Sequence, residues 1–167
     1  MNERRVYADA TALIGLARID RLDILSLLPL PIYVTERVWQ EVASDAEKAG
    51  AAALLQAREA GLLAVVDEGD PDAFPQLDAG ENTVLTAAAA AGAAVLLDER
   101  KARRLIESDP YLKAQIRAAT GIVGLILLAK RRGLIPAVRP LLDALIGQNF
   151  WLSPTFYDSV LHEAGEG

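Results

Sequence analysis

Short apolar runs alternate with longer amphipathic segments along the first 120 residues of the chain. Short runs bounded by turn residues are typical of buried parallel strands, whereas apolar positions three and four residues apart predict helices. We predict strands at residues 6–8, 32–34, 62–66 and 93–97, and a weak fifth strand near 115–118. Strands that alternate with helices favour a parallel sheet covered on both faces. The predicted fold class is therefore α/β, a three-layer α/β/α sandwich with a parallel sheet of four or five strands.

Capping residues mark where the helices between these strands begin and end. Thr35 is a favourable cap for a helix that follows the second strand, and Ser44 with Glu47 forms a capping-box pattern for the next helix. Gly61 ends that helix, and Gly92 ends a helix that spans residues 79–91. A further helix, rich in basic residues, is predicted at 99–107.

The last part of the chain is predicted to be entirely helical. Thr120 opens an apolar helix that runs to residue 132 and stops at Gly133, Pro136 starts another, and Ser153 opens the last. We predict one domain over residues 1–167, with an α/β core at 1–120 and a helical C-terminal extension at 121–167. This extension either packs on the core or forms a surface for a partner.

The composition is that of a soluble globular protein, with 52% hydrophobic and 24% charged residues. No apolar stretch reaches the roughly 18–20 residues of a membrane span, and the N-terminus lacks the apolar region of a signal peptide. We therefore expect a cytoplasmic protein without membrane contact. The chain has no cysteine, so it has neither disulfides nor thiolate metal sites.

Several kinds of chemistry are excluded by what the sequence lacks. His162 is the single histidine, and there is no G-x-S-x-G turn, no phosphate-binding P-loop and no G-x-G-x-x-G motif. Gly121 and Gly124, near the start of the apolar helix, are explained better by close packing than by phosphate binding. Carboxylates acting with a metal ion are the chemistry that is left.

Four carboxylates occupy positions from which they can meet. Asp9 and Asp98 each follow a predicted strand, and the carboxyl ends of parallel strands face one crevice. Glu41 and Glu81 lie on helices that can reach the same place. Such a cluster would repel itself without a divalent cation. Each acid also has a plainer explanation: Asp9 as a helix cap, Glu41 on a solvated face, and Glu81 in a first helical turn.

Charge is distributed unevenly along the chain. The net charge is −6, but residues 1–99 carry −10, residues 100–139 carry +8 and residues 140–167 carry −4. The basic segment is either a surface for a polyanion or a set of solvated helix faces. Four of its cations follow Asp98 closely enough to contact substrate phosphates: Arg100, Lys101, Arg103 and Arg104.

Four segments resemble the PIN-domain nucleases, most of all a PIN-like subfamily related to VapC-type toxins. They are VYADATALIGLARI, VTERVWQEVA, LDAGENTVLTAAAAAGAAVLLDERKARRLI and TGIVGLILLAKRRGLIPAVRPLLDALI. The resemblance implies that Asp9, Glu41, Glu81 and Asp98 are the catalytic and metal-binding acids, with Thr11 matching the Ser or Thr that follows the first of them. Two positions depart from the pattern, because Glu81 replaces a more usual Asp and Glu99 stands where relatives often have a second Asp.

The resemblance implies a Mg²⁺- or Mn²⁺-dependent endoribonuclease, acting as the toxin of a toxin–antitoxin pair. RNA, a small antitoxin protein and a second copy of the chain are the implied partners. In this hypothesis Thr11 and Glu99 orient the metal-binding carboxylates, and Glu99 is alternatively a further ligand or an ordinary first-turn acid. The competing hypotheses are a catalytically weak PIN-like module that binds RNA or protein, and another α/β phosphohydrolase. The latter lacks a D-x-D motif at Asp9.

Overall fold

Five parallel strands form the centre of the computed structural model, which describes residues 4–44 and 50–167. The order across the sheet is β3-β2-β1-β4-β5, so β1 lies in the middle. All three residues of β1 are buried, although their side chains alternate between the two faces. Helices therefore cover the sheet on both sides, as the predicted three-layer α/β/α class requires. The strands are β1 Val6–Ala8, β2 Ile32–Thr35, β3 Leu63–Val66, β4 Ala94–Leu96 and β5 Ala119–Thr120.

Most of the helices begin at a polar residue whose side chain accepts a hydrogen bond from the first turn. This is confirmed for Thr35, which accepts from the backbone N–H of Val38 at 3.3 Å, and Gly92 ends α4 in the left-handed conformation. The helices are α1 Ala10–Arg18, α2 Glu36–Ala43, α3 Ala51–Glu59, α4 Ala79–Ala91, α5 Arg100–Ser108, α6 Pro110–Gln115, α7 Ile122–Arg131, α8 Arg139–Gly147 and α9 Pro154–Glu163; a 3-10 helix spans Leu22–Leu27. Glu47, which the sequence predicts to form a capping box with Ser44, lies outside the described residues.

The helices after β5 pack directly on the first helix of the sheet domain. Gly15 of α1 is the closest point, because a Cβ atom there would lie 2.8 Å from Cδ1 of Ile122 and 3.7 Å from side-chain atoms of Leu145 and Phe150. Leu125 and Ile126 of α7 are completely buried. The helical extension thus shares its core with the sheet.

The fifth strand is the clearest error of the sequence prediction. Residues 110–115 form helix α6, because Asp109 caps its N-terminus and Pro110 occupies its first turn. The strand lies at Ala119–Thr120 instead, where Thr120 is the register partner of Leu96. As a result α7 begins at Ile122 rather than at Thr120.

The start of the next helix was also predicted too early. Pro136 lies in the connection between α7 and α8, and α8 begins at Arg139 with Pro140 in its first turn. Proline fits the first turn of a helix because the N–H that it lacks would have no partner there. Pro136 and Pro140 are both compatible with the first turn of a helix, so the sequence alone does not show at which of them α8 begins.

Glu166 fastens the C-terminal segment to the connection before α8. It accepts hydrogen bonds from Nζ of Lys130 at 2.9 Å and from the backbone N–H groups of Val138 and Arg139 at 2.8 and 3.2 Å. The bond from Lys130, followed by that from Val138, lowers the pKa of Glu166 to about 2. The nearby pair of Arg131 with Glu163 is exposed, at 3.2 Å.

We predict that Glu166→Gln lowers the free energy of unfolding by about 1–2 kcal/mol at neutral pH, because it removes charge-assisted hydrogen bonds. Urea denaturation measures the change. Glu163→Gln is the matched control and should cost less than about 0.5 kcal/mol, since its ion pair is exposed. Because the folded pKa of Glu166 lies below the ordinary 4.5, the difference from wild type should shrink as the pH falls from 4.5 toward 2. Equal losses in the two variants would contradict this account.

Candidate active site

Asp9 is buried at the carboxyl end of the central strand. Its side chain is 3% exposed. One carboxylate oxygen, Oδ1, accepts a hydrogen bond from the backbone N–H of Ala12 at 2.9 Å and thereby caps α1. The other, Oδ2, accepts from the backbone N–H of Asp98 at 3.3 Å. Asp9 therefore does cap a helix, as the simpler explanation of this residue requires. The same side chain also contacts the backbone at the end of β4.

Asp98 lies two residues beyond β4 and reaches across to the start of α7. The backbone N–H of Ile122 donates to both of its carboxylate oxygens, at 3.1 and 3.0 Å. Gly121 leaves the space for this contact, since a Cβ atom there would lie 2.6 Å from Oδ1 of Asp98. The helix N-terminus thus binds a carboxylate of its own chain, which is the anion that its dipole favours.

A chain of hydroxyl groups holds α2 against α4 and so positions Glu41. Thr35 and Thr83 share a buried hydrogen bond of 2.8 Å, and the hydroxyl of Thr83 donates to the carbonyl oxygen of Gly80 at 2.7 Å. Oε1 of Glu41 lies against Gly80, where a Cβ atom would collide with it. Glycine at position 80 therefore makes room for this carboxylate, although Glu41 as a whole residue is exposed.

Glu81 belongs to a capping box at the start of α4. The backbone N–H of Glu81 donates to Oδ1 of Asp78 at 2.8 Å, and the backbone N–H of Asp78 donates to Oε1 of Glu81 at 3.1 Å. Asp78 was not among the predicted site residues. The D-x-x-E spacing is a capping-box signal, and it could have identified both side chains.

Burial raises the pKa of each of the four acids predicted to bind metal. Desolvation of Asp9 is the largest cause and, with the negative charges of Asp98 and Glu99, raises its pKa to about 7 despite the bond from Ala12. Desolvation also raises the pKa of Glu81 to about 7, with the charges of Asp78 and Glu99 acting in the same direction. A nearby cation would stabilise the ionised form of such carboxylates more than that of solvent-exposed ones.

Desolvation also raises the pKa of the other two predicted acids, Asp98 and Glu41. The pKa of Asp98 is raised by desolvation, against the bond from Ile122 and the positive charge of Arg103. The pKa of Glu41 is raised by partial desolvation and by the charge of Asp78, while Arg37 opposes the shift. Asp78 therefore acts on Glu41 and Glu81, and Glu99 acts on Asp9 and Glu81.

The donor set fits a hard divalent cation, because every candidate ligand is a carboxylate oxygen. The acids stand as neighbouring pairs: Asp9 with Asp98, and Glu41 and Glu81 around Asp78. Within residues 4–44 and 50–167, no three acidic or histidine side chains are placed to hold one ion together. Of the Glu81 carboxylate, Oε1 is hydrogen-bonded in the capping box.

The two residues predicted to orient the ligands occupy helix starts. Thr11 is exposed in the first turn of α1, two residues beyond Asp9. Glu99 caps α5, where Oε1 accepts from the backbone N–H of Lys101 at 2.8 Å. The negative charge of Glu99 raises the pKa of both Asp9 and Glu81.

A groove of about 870 Å³ starts at Asp98 and runs between α5, α7 and α9. Of the four cations predicted to contact substrate, Arg100, Arg103 and Arg104 line it, whereas Lys101 does not. Its far side contains exposed aromatic side chains that the sequence reasoning did not single out, Trp151 and Phe156. Both follow α8, in a segment whose only prominent signal is the Ser-Pro helix start.

The raised pKa of Asp9 predicts that the metal-free protein loses stability as the pH rises. The carboxyl keeps its proton up to about pH 7 in the native state, against an ordinary pKa of 3.8. The native state therefore binds more protons than the unfolded chain in this window. The free energy of unfolding should fall by on the order of 3 kcal/mol between pH 5 and pH 8 from this group alone.

Asp9→Asn removes this titration, so urea denaturation of the variant in the presence of a chelator should depend less on pH than wild type does. Asp67→Asn is the matched control, because Asp67 also follows a strand, β3, but is exposed. It should behave like wild type. If Asp9→Asn keeps the full pH dependence of wild type, the buried carboxylate is not its source.

Comparison with known proteins identifies the family. Residues 5–166 match a family model described as a PIN domain, and the search of the curated proteins gave no match. PIN domains are generally metal-dependent nucleases, and the five-stranded parallel sheet between helices agrees with their fold. In the part of the chain that the structure describes, no helix is long and apolar enough to cross a membrane. The relation to VapC-type toxins stays a prediction. The chain belongs to the PIN-domain family.

Proposed function

We propose that the protein is a metal-dependent endoribonuclease that hydrolyses RNA phosphodiester bonds. The observation that carries the proposal is the joined pair of strand-end aspartates. Asp9 is 3% exposed, yet it faces the backbone N–H of Asp98 and the negative charges around it. A buried carboxylate next to further carboxylates costs stability, and such costs are concentrated at functional sites.

Asp9, Glu41, Glu81 and Asp98 would hold the metal, and Mg²⁺ or Mn²⁺ is the class of ion that such oxygen ligands prefer. When bound, the ion would lower the pKa of a water molecule and neutralise charge on the phosphate under attack. Glu99 and Thr11 would orient the ligands from the edge of the site. Gly80 and Gly121 support this assignment, because each leaves space for one of the four carboxylates.

The arginines next to Asp98 would bind the RNA backbone. Arg100, Arg103 and Arg104 lie along the groove that begins at this acid, so phosphates bound there lead to the carboxylates. Contacts of this kind supply affinity that depends on salt, and they do not read sequence. Lys101 does not line the groove, so it would contribute only to the overall positive electrostatic potential of this region.

The biological role that we propose follows the resemblance to VapC-type toxins. The protein would be a cytoplasmic toxin that acts as a homodimer and is neutralised by a small antitoxin protein. We further propose that residues 1–167 form one domain, because the core of the sheet continues into α7 and α8 at Gly15. Coexpression with the product of the neighbouring gene tests the antitoxin directly.

One observation favours a second candidate, a PIN module that binds RNA with little or no cleavage. Glu81 is hydrogen-bonded to the backbone of Asp78, and among the described residues no three acids are placed to hold an ion. In this alternative Glu81 keeps its capping-box hydrogen bond and does not bind metal. The groove lined by Arg100, Arg103 and Arg104 still binds RNA. A protein that binds RNA but does not cut it with any divalent ion would support the module.

The test is cleavage of single-stranded RNA with Mg²⁺ or Mn²⁺. We expect wild type to cut, a chelator to abolish cutting, and Asp98→Asn to lower the rate by at least about 100-fold, because a metal ligand is lost. Asp67→Asn, the exposed strand-end control, should cut at the wild-type rate. Cleavage by Asp98→Asn at the wild-type rate would refute the proposed site.

A further inference from the structure

We propose that the groove between α5, α7 and α9 binds a single-stranded stretch of RNA by stacking bases on Trp151 and Phe156. We call it the aromatic groove. The inference rests on the proposed function, since the RNA it holds is the substrate of the same site. It adds the aromatic residues that bind the bases of that substrate.

The aromatic groove joins the acid site to the aromatic side chains without a break. Its lining includes Asp98 and Gly121 together with Trp151, Phe156 and Ser159. Its volume of about 870 Å³ is within the range of sites that enclose whole small molecules. A strand whose phosphate reaches Asp98 therefore has room to place neighbouring bases in the groove.

Trp151 and Phe156 present large apolar surfaces to solvent. Trp151 is 72% exposed and Phe156 is 46% exposed. The other tryptophan, Trp39, is half-buried and has the guanidinium of Arg58 over its ring at 4.9 Å. Exposed rings beside a cationic surface are the usual platform for unpaired bases, and each stacked base is worth about 1–3 kcal/mol.

The aromatic groove is lined by four arginines, Arg100, Arg103, Arg104 and Arg131, against three acids, Asp98, Glu107 and Glu163. Arg131 is paired with Glu163, and Arg103 donates to the carbonyl oxygen of Ala119 at 3.4 Å beside Asp98. Arg100 and Arg104 are exposed and make no ion pair within residues 4–44 and 50–167. They are therefore available for phosphates, while the rings are available for bases. An acidic or apolar peptide would use only one of these features.

The experiment measures RNA binding separately from cleavage. Asp98→Asn protein is titrated, with chelator present, into a short labelled single-stranded RNA, and binding is followed by fluorescence anisotropy. Adding Trp151→Ala should weaken binding about 10-fold, while Trp151→Phe should restore most of it because a ring remains. Tyr111→Ala is the control, because Tyr111 is 54% exposed on α6 and lies outside the groove. It should leave the affinity unchanged.

Salt dependence separates the two kinds of contact. Adding Arg104→Gln should reduce the slope of log affinity against log salt by about one, whereas Trp151→Ala should lower affinity at unchanged slope. A duplex of the same sequence should bind more weakly than the single strand, because its bases are already stacked.

Three outcomes would overturn the inference. The first is unchanged RNA affinity in Trp151→Ala. The second is that Trp151→Ala changes the protein from a dimer to a monomer in light scattering while its RNA affinity is unchanged. The aromatic surface would then be an interface between copies of the chain. The third is that Trp151→Ala no longer binds a coexpressed antitoxin but still binds RNA as tightly as before. Cleavage by wild type decides the proposed function independently, so either idea can fail while the other stands.

Discussion

The hydrogen bond from the backbone N–H of Asp98 to Oδ2 of Asp9 joins the ends of β1 and β4. Each carboxylate has a second contact that fixes a helix: Asp9 caps α1, and Asp98 accepts from the first N–H of α7. Two strands and two helices therefore meet at one pair of acids, of which Asp9 is buried and Asp98 is half-buried. Their raised pKa values show the cost of this arrangement, which a bound cation would offset.

Signals local to a few residues made most of the fold predictable. The strands β1 to β4 lie within a residue of their predicted bounds, and helix α4 was predicted at 79–91, where Gly92 ends it. The fifth strand was misplaced because it has only two residues, at Ala119–Thr120, and is defined by its pairing with β4. The preceding helix α6 had a readable signal in Asp109 and Pro110, a cap followed by proline.

The candidate site was predictable in its residue types more than in its geometry. An aspartate directly after a buried strand indicates the carboxyl edge of the sheet, which is why Asp9 and Asp98 could be proposed. The spaces at Gly80 and Gly121 depend on contacts between distant segments, and no sequence spacing encodes them. The same holds for the groove that brings Trp151 toward the arginines of α5.

Titration of the protein with Mn²⁺ by calorimetry is the most direct test of the central claim, that the Asp9–Asp98 pair belongs to a metal site. We expect wild type and Asp67→Asn to bind the ion equally, and Asp9→Asn and Asp98→Asn each to bind at least about 10-fold more weakly, as for the loss of a ligand or its support. Circular dichroism should show that all four proteins are folded. Equal Mn²⁺ affinity in all four would contradict the account.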